Sequence, residues 1–146
     1  MKASFVSLAL AAIIAAVPLS AHHSFAAEFD REAPIKVTGT VAKIEWTNPH
    51  IWIYVDVKEA EGKVITWAFQ GGPPAYLTRA GWNKTDLKQG DTVTVQGFKA
   101  KDGSYHAAGG AVTLPDGRRM FALQIQGVPQ PGVSSDFRAL PAKQQF

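Results

Sequence analysis

The chain has four histidines and no cysteine, so thiolate metal sites and thiol catalysis are excluded and imidazoles are the first residues to consider for metal or acid–base chemistry. Two histidines are adjacent, His22 and His23, and they follow a segment with the pattern of a secretory signal peptide. Lys2 precedes a small and apolar run, Ala9 to Val17, which gives way to Pro18, Leu19, Ser20 and Ala21. That run is too short to anchor a protein in a bilayer. Cleavage after Ala21 would make His22 the first residue. Its α-amine and imidazole would chelate one ion together, and a second imidazole such as His50 would complete a T-shaped, all-nitrogen set suited to Cu(II). Cleavage after Ser20 would instead leave Ala21-His22-His23, in which an amine, two backbone nitrogens and the third residue's imidazole surround Cu(II) or Ni(II) in a plane. The bland alternative is that paired histidines at a mature end are simply polar and favour export. Glu28 and Asp30 either join such a metal shell or are solvated.

A second group of residues points to binding without a metal. His50 follows the turn residues Thr47, Asn48 and Pro49, and it shares a strand face with Trp52 and Tyr54, opposite the aliphatic face of Ile51, Ile53, Val55 and Val57. Asn48, His50, Trp52 and Tyr54 are therefore the candidate ligand-binding residues. The competing reading is that the segment Phe25 to Phe29 covers this face as a second small core. Of the four tryptophans, Trp46 and Trp67 fall on inward phases and read as core. Aromatic barrel faces stack bases or sugars. A glycan or small apolar molecule suits an exported protein better than nucleic acid does. No Gly-x-Ser-x-Gly elbow, His-Glu-x-x-His or phosphate-binding glycine loop is present. Glu45, across the turn from His50, is the nearest approach to an acid–base pair.

Short strands position these residues. Alternation from Ile35 to Val41 marks the first, and a slip near Ala42 and Lys43 predicts a bulge before Ile44 and Trp46 resume the apolar phase. His50 to Val57 is the clearest strand. A hairpin loop, 59–63, leads into a third at Val64 to Gln70. Pro73 and Pro74 open a short helix that Gly81 stops. A fourth strand carries Val93, Val95 and Gly97 inward, and a fifth, Tyr105 to Leu114, has a bend at Gly109 and Gly110. Pro115, Asp116 and Gly117 turn the chain into a last short strand, Arg118 to Ala122. Three strands, a helix and two more strands is the order of the OB-fold, so the expectation is an all-β, OB-like Greek-key barrel of five or six strands, with a β-sandwich as the competing architecture.

Removing 21 of 146 residues leaves 125, enough for one domain with a real core. The division expected is a signal peptide over 1–21, an N-terminal segment over 22–34, a barrel domain over 35–127 and an irregular Pro-rich tail over 128–146. Loss of Lys2 takes the formal net charge from +3 to +2, which is no nucleic-acid signature. No second apolar stretch is long enough to cross a membrane.

The His-His-Ser-Phe start, the Trp-Thr-Asn-Pro-His-Ile-Trp segment at 46–52 and the Gly-Asp-Thr-Val-Thr-Val-Gln-Gly segment at 90–97 together resemble a bacterial family of small exported proteins with no assigned function. The resemblance runs from His22 to about Met120 and implies no activity, cofactor or ligand. Residues 90–97 also resemble, more loosely, periplasmic bacterial OB-fold proteins, which bears on fold alone. The function expected is thus a periplasmic or secreted, non-enzymatic binding module. Its ligand is a small molecule, glycan or protein partner, and a copper-binding protein built on His22, His23 and His50 is the alternative.

Overall fold

The computed structural model describes residues 25–122, so the expected signal peptide, His22, His23 and the expected tail lie outside the described residues. A single helical turn, α1 (Phe25–Glu28), leads into β1 (Phe29–Glu45). There follow β2 (Trp52–Lys58), β3 (Val64–Gln70), the short helix α2 (Pro74–Arg79), β4 (Thr92–Ala100), β5 (His106–Thr113) and β6 (Arg119–Phe121). They form one sheet in the order β3-β2-β1-β4-β5-β6. A parallel pairing from Ala68 opposite His106 to Gln70 opposite Ala108 joins β3 back to β5 and nearly closes a ring of five strands. With α2 between β3 and β4, this is the OB-like barrel that the strand order predicts.

Each inward row follows from the period of two. Ile53, Val55 and Val57 are buried along β2, Val37 and Val41 along β1, and Val93 and Val95 along β4. The predicted slip in β1 is real. Val41 pairs with Val55 and Lys43 with Tyr54, so Ala42 is the extra residue. The bulge keeps Ile44 against the core and turns Lys43 and Glu45 to the outer face. A second bulge falls at Gly110, between the pairs Gln96 with Ala111 and Gly97 with Gly109, where the sequence predicts a bend.

The helix ends as predicted. Gly81 adopts φ +96, the Gly81 N–H donates to the Thr78 carbonyl and the Trp82 N–H to that of Leu77. This is a Schellman closure, with Leu77 and Trp82 supplying its hydrophobic contact in the core. The first strand differs from expectation by starting at Phe29 instead of Ile35. Pro34 opposes Phe98 and Phe29 opposes Ala100 across a break in register. The charged run Asp30-Arg31-Glu32 and the donor-less Pro34 erase the alternation there, yet the backbone still pairs with β4.

Candidate functional site

Strand register lays out two rows of side chains on the outer face. In one, Glu45 of β1 opposes Trp52 of β2, which opposes Gln70 of β3. In the other, Lys43 opposes Tyr54, Tyr54 opposes Ala68, and Ala68 pairs with His106 of β5. Ala68 offers only a methyl group, so the Trp52 indole reaches across it to the His106 imidazole, with centroids 5.0 Å apart and planes at 38°. On its other side Trp52 neighbours Tyr54 at 6.4 Å and 25°. All three side chains are half-buried.

Polar groups frame the rings. Lys43 Nζ donates to Glu45 Oε1 at 2.5 Å and sits 5.4 Å from the Tyr54 ring centroid. Tyr54 Oη donates to Glu45 Oε2 at 3.2 Å. The hydrogen bond from Lys43 is the main influence holding the Glu45 carboxyl below its ordinary range. Burial first, and then the bond to Glu45, raises the Tyr54 phenol above its own. At neutral pH, Glu45 is therefore an anion and Tyr54 a proton donor. One step along the strands, Thr66 Oγ1 donates to Asp56 Oδ1 at 2.5 Å.

The N-terminal segment covers one margin of this face. Phe29 stands edge-on to His106 at 5.1 Å, and Phe25 meets Phe98 at 5.9 Å. Phe29, Ala100 and Ala108 form a second small core against which Phe25 packs. Lys101 fastens the segment, donating its backbone N–H to the Glu28 carbonyl at 2.9 Å and its Nζ to that of Ala26 at 2.6 Å. The second core foreseen for Phe25 to Phe29 therefore exists. Its ring contacts end at His106 and leave Trp52 and Tyr54 beside it. His106 Nδ1 lies 3.7 Å from Glu28 Oε1.

His50 keeps the phase expected of it but sits just before β2, where its Nδ1 lies 3.0 Å from the Gly71 carbonyl oxygen. Among the described residues it makes no ring contact with Trp52 or Tyr54. Nor does it pair with Glu45, which Lys43 and Tyr54 occupy. Asn48 is exposed in the same loop, joined to Pro49 by a cis peptide bond. His106 is the member of the ring group that sequence reasoning missed. Its place depends on β3 pairing with β5, and the one local hint is its position at the mouth of a glycine-rich strand. Trp46 and Trp67 pack against the core as their phases require. Trp67 also meets Tyr105 edge-on at 5.3 Å, with Lys99 Nζ 5.9 Å from its centroid.

Fold and face together define a small OB-like barrel with an outward aromatic group between its β1–β2 and β4–β5 loops. The chain belongs to a family of unknown function, DUF6152, whose model matches residues 10–109 and so takes in Trp52, Tyr54 and His106. No curated protein and no solved structure matches it. Among the described residues, no helix is long and apolar enough to cross a membrane, and no three or more His, Asp or Glu side chains gather in a metal-binding group.

Proposed function

We propose that this chain is an exported, non-enzymatic binding module whose ligand seats on the outer face of β2, β3 and β5. The observation that carries the reading is the Trp52 indole held between Tyr54 and His106 on the strands that OB-folds use for ligands. Trp52 and Tyr54 form the centre of the site, His106 joins them, and His50 and Asn48 belong to the loop at its rim. The test is a backbone NMR titration with a mixed panel of hexasaccharides, short peptides and an apolar anilinonaphthalene dye. At least one probe is expected to shift Glu45, Trp52, Tyr54, Gln70 and His106, and Trp52→Ala to weaken it about tenfold or more. Shifts confined to other surfaces, or binding indifferent to that substitution, would sink the reading.

A second reading, copper binding at the processed N-terminus, is favoured by the bond from His50. When Nδ1–H donates to the Gly71 carbonyl, the Nε2 lone pair is left free, the arrangement common in metal-ligating histidines. Intact mass of the secreted protein fixes the first residue. Cu(II) titration is then expected to show one site that weakens at least tenfold in the double variant His22→Ala, His23→Ala and in His50→Ala. Equal affinity in all three proteins ends this reading.

A further inference from the structure

We infer that the ligand of the Trp52 face is a neutral glycan, an inference that rests on the binding-module reading above. The charges nearest the rings do not favour an anion. Lys43 is bonded to Glu45, Asp56 is negative and engaged by Thr66, and the exposed cation Lys58 stands beyond Asp56 at the far end of β2. A phosphate or anionic headgroup seated on the rings would lie beside the carboxylates of Glu45 and Asp56, with the nearest ammonium, Lys43, already occupied. A peptide added as an extra strand is disfavoured for a different reason. β2 is paired on both sides, by β1 and β3, and β3 by β2 and β5, so no free strand edge runs beside Trp52.

What the face does offer is an indole flanked along one row by a carboxylate and a primary amide, Glu45 on one side and Gln70 on the other. A pyranose has C–H bonds on its faces and hydroxyls around its rim, so it meets such a row with a ring face on the indole and hydroxyls at both ends. Two donors are unspent for this purpose. Among the described residues, neither the Gln70 amide nor the Trp52 indole N–H makes a hydrogen bond to protein, although both side chains are half-buried. Convergent polar groups around an aromatic platform are what fix orientation in a ligand site. Ala68 keeps the floor low between the rings.

The experiment is calorimetric titration of the full mature chain with maltohexaose, cellohexaose and chitohexaose. Parallel titrations use Trp52→Ala, Gln70→Ala and Ala68→Leu, each checked by thermal melting. At least one hexasaccharide is expected to bind. Trp52→Ala should weaken it about tenfold or more, Gln70→Ala several-fold, and Ala68→Leu substantially by raising the floor. Should Trp52→Ala melt early, Gln70→Ala carries the test, since among the described residues that side chain makes no hydrogen bond. Absence of binding by all three sugars, or binding unmoved by the variants, overturns the glycan assignment. If a peptide or the apolar dye shifts the Trp52 face while every sugar fails, the assignment falls and the binding-module reading survives. If no probe engages the face, both fall together.

Discussion

Replacing Trp82 by alanine is expected to lower stability by about 3–5 kcal/mol, the range for removing a large buried aromatic side chain. Trp82 is 1% exposed and stands where the chain leaves α2, so its indole joins the helix to the barrel. It lies 6.3 Å from the Trp46 ring and packs in one cluster with Leu77, Leu87 and Ile51. Its Nε1 donates to the Phe121 carbonyl at 2.7 Å, which ties β6 to the same end of the barrel. Alanine would empty that volume, remove the apolar partner of Leu77 in the helix-closing motif and leave the Phe121 carbonyl without its donor. Trp82→Phe separates these contributions. It keeps most of the volume and loses the hydrogen bond, so it should cost nearer 1–2 kcal/mol, about 1 of which belongs to the bond. Urea midpoints of the three proteins decide the matter. A loss below about 1 kcal/mol for alanine would mean that α2 does not seal the barrel.

The main core and the second small core are not equally legible in the sequence. The main core is, because an antiparallel sheet with one face on the core writes a period of two into residues such as Ile51 to Val57. A bulge is a break in that period, which is why Ala42 could be anticipated. The helix announced itself through Pro73, Pro74 and Gly81, residues whose backbone restrictions act locally. The second core is legible at one end only. Phe25 and Phe29 mark a segment able to cover the face, but Ala100 and Ala108, which complete it, are small residues from distant strands.

The candidate site divides along the same line. Trp52 and Tyr54 could be placed on one face from their own strand, whereas His106 reaches that face through a pairing between β3 and β5 that no local pattern encodes. His50 falls just before β2, outside the strand in which its spacing predicts it. Its partner is a backbone carbonyl at the end of the neighbouring strand, and side-chain spacing holds no information about that bond. For Glu45, the bulge at Ala42 turns it together with Lys43 toward Tyr54, so it does not pair with His50 across the turn.

Gly97→Ala should remove about 3 kcal/mol or more, through overpacking that falls on backbone and not on side chain. A Cβ at this position would lie 2.0 Å from the Ala108 carbonyl oxygen and 3.0 Å from its carbon. A side chain in that place could rotate aside, but a peptide oxygen cannot, so β4 and β5 would have to part. They would part beside the Gly110 bulge, where the ladder is already interrupted. Ala108 belongs to the second core and lies two residues beyond His106, so the displacement would also carry His106 away from Trp52. Gly81→Ala provides the contrast. Its Cβ would meet nothing within 4 Å, and its φ of +96 leaves conformational strain as the main penalty, about 1–2 kcal/mol. Urea unfolding is therefore expected to rank Gly97→Ala well below Gly81→Ala. In the folded fraction, only the Gly97 variant should shift the His106 and Trp52 NMR signals. Equal losses with an undisturbed His106 would show that the strands yield freely at Gly97, and that their close approach does not hold the aromatic face in place.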